Sequence, residues 1–357
     1  MVKYILKKIF AGIFVLLGVI VLVFFLFQLI RFNPAYSAAG EQASEQTVKN
    51  ITKEFGLDQT LGKQLLRYLN DLSPLSFHAT KDSTNIFFLD DKKYTYAKLL
   101  GVTNTVVVVK YPYLGRSFQT NRSVVDLLQE RIPNTLVLAF SAMLFATFLG
   151  ILLGVIASVK PNSLTDNICT AGSVLGISLP SFFAAIVLQL IFAYMLASVT
   201  GLHLTGDLFV TDAYTGEEYF SFRNLILPAI ALGIRPVAVI TQITRSSMLE
   251  VIHADYVRTA YAKGLDKNTI LFKHSLRNAL IPVITSVTGW LASLLAGAFF
   301  IEVIFQYNGL GLETINAIKT KDIPVTMGAM IFTATIFVLI SIITDILYRV
   351  VDPRIRT

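Results

Sequence analysis

The chain has 357 residues, of which 54% are hydrophobic and 15% charged, with a formal net charge of +7 and a mean hydropathy of +0.64. Soluble domains carry about a quarter charged residues, so this composition points to the membrane, where a positive balance reflects inner-loop bias rather than nucleic-acid binding. One cysteine, Cys169, excludes a disulfide framework and a cysteine-cluster metal site, and His78, His203, His253 and His274 show no zinc spacing.

Crossing about 30 Å of hydrocarbon takes about 20 apolar residues. The first such stretch is Ile9–Ile30, preceded by Lys3, Lys7 and Lys8. At about 22 residues it exceeds the usual signal-peptide core, so residues 1–32 are expected to hold an uncleaved first span. Residues 33–132 are expected to form an extracytoplasmic domain. Within it, Glu41–Leu72 has helical patterning through Phe55, Leu61, Leu65, Leu66 and Leu69. "NIFFLD", "KYTYAKLL" and "TVVVVKY", within Asn85–Tyr113, read as strands rich in β-branched and aromatic residues.

Residues 133–357 hold five further apolar stretches: Thr135–Val159, Ile168–Val199, Leu225–Ile243, Ile281–Phe305 and Val325–Val351. Gly150/Gly154 and Gly172/Gly176 fit close helix packing, and also fit chance, so no function attaches to them. With Met1 inside, Lys160, the Arg245–Arg277 series, Arg354 and Arg356 also fall inside, whereas the outer loops Gly201–Asn224 and Gln306–Pro324 carry only Arg223, Lys319 and Lys321. That asymmetry predicts both termini in the cytoplasm. The expected fold is an all-α polytopic membrane protein of six transmembrane helices with a small α/β extracytoplasmic insert.

Arg235 lies inside the fourth stretch, beside Pro236. An arginine at mid-bilayer costs at least about 2.5–3.5 kcal/mol. It is read either as a path-lining cation, or as the partner of Glu302, or as a side chain snorkelling to an interface. Glu302 is equally a candidate gate residue, and Gln189 and Gln242 are weaker path candidates. Asp345 is expected to pair with Arg349, four residues on.

The chain contains no phosphate loop, since Gly56 to Gly62-Lys63-Gln64 has the wrong spacing and no Ser or Thr after the lysine. It also lacks a nucleophile elbow, a His-Glu-x-x-His pair and a dinucleotide fingerprint. No catalytic residue, cofactor or metal is therefore assigned, and energy from ATP would have to enter through a partner.

Between the fourth and fifth stretches, within about 246–280, runs "DYVRTAYAKGLDKNTILFKHSLRNALIP" (Asp255–Pro282), with six Lys, Arg or His and two acids. Ser247–Lys263 reads as one helix, Gly264 suits the left-handed residue that ends it, and Asp266 or Asn268 can cap the next. Pro282 marks entry to the fifth span. Tyr256, Val257 and Tyr261 are unusual on a free surface. The segment fits docking into a protein groove, and equally a helix lying on anionic lipid.

Arg258-Thr259-Ala260 followed by Gly264, and the ending "HSLRNALIP", resemble the cytoplasmic loop of ABC importer permeases, in the B-type form of the oligopeptide/dipeptide/nickel branch. Arg258 and Thr259 replace the Glu and Ala of the general motif, and Arg277 stands where that motif has proline. "VKYILKKIF", "EFGLDQTL", "YLGRSF", "SVVDLLQERIPNTLVLAF", "RSSMLEV", "FIEVIFQYNGLGLETINAI" and "DPRIR" extend the resemblance along nearly the whole chain. The departure is extra sequence around Phe77–Lys110.

The resemblance implies a type I importer permease of a prokaryotic inner membrane. It would form half of a heterodimeric path with a C-type permease, beside two ATP-binding cassette subunits and an extracytoplasmic substrate-binding protein. Peptides are the implied substrate, with nickel, glutathione or another small solute as alternatives. The coupling element would be about Asp255–Asp266, with Tyr256, Arg258, Thr259, Ala260, Gly264 and Leu265 as ATPase-coupling residues. A secondary transporter or channel would instead predict inverted repeats or paired intramembrane ions, and the sequence shows neither.

Overall fold

The computed structural model describes residues 2–29, 44–54, 56–81, 85–91, 93–102, 104–212 and 214–351. Among the described residues, five helices are long and apolar enough to cross a membrane. They are α1 (Val2–Leu29), α4 (Val124–Val159), α8 (Phe222–Ile252), α11 (Arg277–Phe305) and α13 (Ile323–Val351). The expected third span, Ile168–Val199, is instead a bent pair followed by the short α7 (Ala197–Thr200): α5 (Leu164–Ser178) and α6 (Ser181–Leu188), the latter running on through a π-helical segment to Met195, meet at 109°. The cause is Pro180. A proline excludes its predecessor from helical geometry and lacks an N–H, and Leu179 is accordingly extended (φ −76°, ψ 128°). Pro282, expected at a helix start, lies within α11, five residues after Arg277.

The chain divides into two compact units, Met1–Gly12 with Arg131–Leu312 and Ile336–Thr357, and Ile13–Glu130 with Glu313–Thr335. In the first, α8 is the central helix, with more of its length buried than α4 or α11. Leu225, Leu232 and Ile240 of α8 share a core with Leu138, Ala142 and Ala146 of α4 and with Leu294, Ala298 and Ile301 of α11. The α4–α8 contact depends on missing side chains. A Cβ at Gly150 would stand 2.7 Å from Ile240 Cγ2 and 3.0 Å from the Val237 carbonyl oxygen, and one at Gly154 would stand 2.5 Å from Thr244 Cβ. Of the second glycine pair, Gly176 faces Ala238 at 3.1 Å, while Gly172 has nothing within 4 Å. Asp345 pairs with Lys8 at 2.7 Å, and the side chain of its expected partner Arg349 lies outside the described residues.

In the second unit, α2 (Glu45–Glu54) and α3 (Leu61–Leu72) precede a three-stranded antiparallel sheet of order β1-β3-β2. Its strands are β1 (Leu75–Ala79), β2 (Tyr96–Val102) and β3 (Thr105–Lys110). The expected long helix is broken at Gly56, which takes φ +67°. "NIFFLD" is a turn touching Ala79 through one bridge at Phe88, and "LSFHA" supplies the first strand instead. The alternation Ser76, His78, Val106, Val108 and Lys110 turns inward, which is how a half-buried sheet sorts its faces.

Beneath the sheet sits Asp71. Its carboxylate accepts from Lys93 Nζ (2.9 Å) and the Tyr94 hydroxyl (2.5 Å), and its carbonyl accepts from Lys110 Nζ. Lys93 also lies 4.7 Å from the ring centroids of both Tyr94 and Tyr113. Elsewhere in this unit, Asp322 accepts from the Ser117 hydroxyl (2.5 Å) and the Phe118 amide (3.1 Å).

Two outcomes follow from these contacts. Overpacking a tight site costs about 1–3 kcal/mol, so Gly154→Val lowers the melting temperature of the detergent-solubilised chain, whereas Gly172→Val leaves it unchanged. In the insert, burial pushes the Lys93 ammonium down and lowers Lys110 to about 8, against the opposing pull of Asp71. The unfolded lysines, at about 10.4, hold more protons over that window, so the insert gains stability as pH rises from about 8 to about 10. Burial raises Tyr68 and Tyr94, and unfolded tyrosines lose protons first, so the trend reverses above about pH 10. Hydrogen-exchange protection of the Val106 and Val108 amides, normalised for intrinsic rates, should be higher at pH 9.5 than at pH 8, and Lys110→Met should flatten the difference.

Candidate functional site

The expected single helix Ser247–Lys263 is two. α8 stops at Ile252, Ala254 is extended (φ −70°, ψ 148°), and α9 runs Asp255–Ala262. No proline or glycine forces this break. It lets Val257 and Ala260 bury against Ile270, where Val257 is 0% exposed, and burying such a side chain is worth about 1.5–3 kcal/mol. Gly264 takes φ +72°. Its amide donates to the Tyr261 carbonyl (3.0 Å) and the Leu265 amide to the Ala260 carbonyl (3.3 Å), the paired bonds of a Schellman turn. Asp266 then caps α10 (Lys267–Thr269) by accepting from the Asn268 and Thr269 amides, and a π-helical segment, Ile270–Leu276, leads into α11.

This arrangement sorts the predicted coupling residues. Tyr256 (44% exposed) and Leu265 (40%) are outward, as are Arg258, Thr259 and Gly264. Ala260 is not a surface residue; it is buried in the loop's own core, and so is Val257. Tyr261, 51% exposed, takes the outward place instead. The Tyr256 hydroxyl accepts from Asn278 Nδ2 at 2.9 Å, tying α9 to α11. Arg258 reaches Asp255 at 3.5 Å with both side chains exposed, a pair of little energetic weight.

The loop stands on a cluster of Met248, Val155 and Ala279. Below it is an ion pair that no local pattern announces. Asp166, 1% exposed, accepts from Arg245 Nε (2.5 Å) and Arg245 Nη2 (2.7 Å), across 79 residues of chain. In sequence, Asp166 resembles an ordinary first-turn acid after the Ser163 cap, and only long-range pairing separates the two roles.

At the other end of α11, Glu302 is 0% exposed. Its carboxylate accepts from the Thr135 hydroxyl (2.7 Å) and the amides of Gly311 (2.6 Å) and Leu312 (3.2 Å), at the first turn of α12 (Leu310–Lys319). A Cβ at Gly309 would stand 2.3 Å from that carboxylate. Glu302 is therefore satisfied as the anion at a helix N-terminus rather than by Arg235. Beside it Asn134, Asp207 and Asn308 form a second polar group that the sequence reading missed, with Asn134 Nδ2 and Asn308 Nδ2 both donating to Asp207 (2.8 and 2.7 Å).

Arg235 is exposed within the otherwise buried middle of α8, and Gln242, half-buried, follows two turns along the same face. Gln189 Nε2 donates to the carbonyls of Leu204 (2.5 Å) and Ile304 (3.4 Å). Among the described residues, no three His, Cys, Asp or Glu side chains group as a metal site would require.

Comparison with known proteins gives consistent results. Residues 1–82 match the N-terminal family of binding-protein-dependent transport system membrane components, and residues 150–357 match the binding-protein-dependent transport system inner membrane component family. The chain is 34% identical to a dipeptide transport system permease protein of Alkalihalophilus pseudofirmus, over 100% of both chains. It is 33% identical to its Escherichia coli counterpart, over 100% of this chain and 99% of that one. With the Haemophilus influenzae protein the identity is 41%, over 68% of this chain and 76% of the other. Among solved structures, the inward-facing MetNI methionine ABC transporter is 18% identical with a TM-score of 0.49, covering 64% of this chain and 97% of that chain. The chain belongs to the inner-membrane components of binding-protein-dependent ABC transport systems, and is a multi-pass permease of that family.

Proposed function

We propose that this chain is the B-type permease subunit of an ATP-driven importer of di- and oligopeptides, forming half of the translocation path beside a second, C-type permease. The observation that carries the reading is the 255–266 turn. It holds two aromatic rings and a leucine outward on a hydrogen-bonded scaffold, the composition of a protein-docking element rather than a linker. Tyr256, Arg258, Thr259, Tyr261, Gly264 and Leu265 would seat in a cleft of an ATP-binding cassette subunit, with the termini and this loop cytoplasmic by the lysine and arginine asymmetry. Peptides are the substrate favoured by the names of the relatives. The 33–132 segment would meet the extracytoplasmic binding protein. Arg235 and Gln242 would face the path, since an exposed arginine in a span needs water or a polar partner.

Co-purification should recover two ATPase subunits, a second permease and the binding protein; a stable, active homomer would overturn the reading. Gly264→Val places a β-branched residue at φ +72°, costing roughly 1–2 kcal/mol. It should leave insertion intact, abolish peptide uptake and leave ATP hydrolysis without binding-protein stimulation, and normal uptake would overturn the coupling assignment. Arg235→Gln should slow uptake of peptides with a free C-terminus several-fold more than that of C-amidated ones, and equal effects on both would remove Arg235 from the path.

A further inference from the structure

We propose that the Asp166–Arg245 ion pair is the latch through which movement of the 255–266 turn reaches the bent helix pair Leu164–Met195, an inference that rests on the coupling role of that turn. Arg245 lies two turns before the end of α8, and α8 leads directly into α9. Three devices fasten this last part of α8. Gly154 of α4 receives Thr244 and the Thr241 carbonyl without a Cβ between them. Met248 packs with Val155 and Ala279. The third device is Arg245, which alone of these reaches α5.

The acceptor is built to hold. Asp166 Oδ1 accepts from Arg245 Nε (2.5 Å) and Thr170 Oγ1 (3.3 Å), while Oδ2 accepts from Arg245 Nη2 (2.7 Å) and the Asn162 amide (2.8 Å). Asn162 takes φ +60°, so the same carboxylate also fixes the turn joining α4 to α5. Asp166 is the most deeply buried carboxylate among the ion pairs of the described residues, at 2% side-chain exposure against 14% for Asp71, 29% for Asp345 and 98% for Asp255. Apolar contacts between two helices allow small slips of packed side chains. A two-pronged guanidinium contact to a buried carboxylate does not, because a slip would leave Asp166 its charge with only a hydroxyl and an amide to offset its desolvation. A buried ion pair often adds little net stability over apolar packing, and register is the better account of its use here.

At its far end α5 is seated on α8 again, through Gly176 against Ala238. Beyond the 109° bend, α6 runs on to Gln189, which donates to carbonyls of Leu204 and Ile304. A push applied at α9 thus moves α8 and α5 as one body and emerges past Pro180. Arg245 and Asp166 are positioning residues in this scheme.

The test uses the complete importer, with its ATPases, second permease and binding protein, in proteoliposomes. Arg245→Gln should retain assembly and ATP hydrolysis but lower peptide uptake per ATP hydrolysed at least ten-fold. Arg245→Lys, which keeps the charge but engages one oxygen at a time, should keep the wild-type melting temperature and lose several-fold in the same ratio. An unchanged ratio in either variant overturns the proposal, and so does failure of Arg245→Lys to assemble, which would make the pair a folding element only. In a Cys169→Ser background, spin labels at Gly172→Cys and Ser246→Cys should keep their separation on ATP addition when Arg245 is present and change it in Arg245→Gln. A separation that responds to ATP equally in both overturns the proposal as well. Gly264→Val separates the two failures: normal uptake there removes the coupling turn itself, whereas uncoupling there with intact Arg245 variants removes the latch alone.

Discussion

The close approach of α4 and α8 at Gly150 and Gly154 is the constraint from which the helical unit takes its shape. Lipid is as apolar as leucine, so apolar burial does little to bring membrane helices together, and dispersion contact between closely approached backbones must do more. Two absent side chains let the Val237 and Thr241 carbonyl oxygens come within 3.0 and 2.8 Å of where a Cβ would stand. With α8 seated this deeply, α5 and α11 can pack on its other sides, and its ends emerge at fixed places. One end carries the 255–266 turn.

Polar groups in such a structure must find partners within it. Glu302, Asp166 and the Asn134–Asp207–Asn308 group each meet that requirement by tying chain segments far apart in sequence. An unmet buried donor or acceptor costs about 1–3 kcal/mol, so each group fixes its segments in one arrangement. Glu302 holds the start of α12, and Asp166 holds the α4–α5 turn together with α8. The insert follows the same rule with Asp71, where two lysines and a tyrosine converge on one residue.

Much of this was readable from sequence because it depends on local chemistry. Apolar stretches of sufficient length placed the spans, Gly264 announced a left-handed helix end, and Asp266 announced a cap. The features that escaped depend on other segments. Pattern alone could not show that Val257 and Ala260 face Ile270 rather than a partner, since Asp255–Lys263 offers two plausible stripes and only the packing of the following segment chooses between them. The break at Ala254 has no sequence punctuation for the same reason. Pro180 was visible, but an apolar run on both sides of it masked its effect. "LSFHA" is too short and too mixed to read as a strand until β3 lies beside it. Glu302 and Arg235 looked like partners because both are charges in apolar surroundings, whereas the carboxylate is satisfied by a hydroxyl and two amides.

The turn at Gly264 closes its own hydrogen bonds. The Gly264 and Leu265 amides are satisfied within α9 and the Asp266 carboxylate within the next turn, so its shape does not wait for a partner. A preorganised element surrenders little conformational entropy when it seats. Contact energy from Tyr256, Tyr261 and Leu265 is then left over for work on the rest of the chain, and a partner that changes shape would drag a stiff handle rather than first having to fold a slack one.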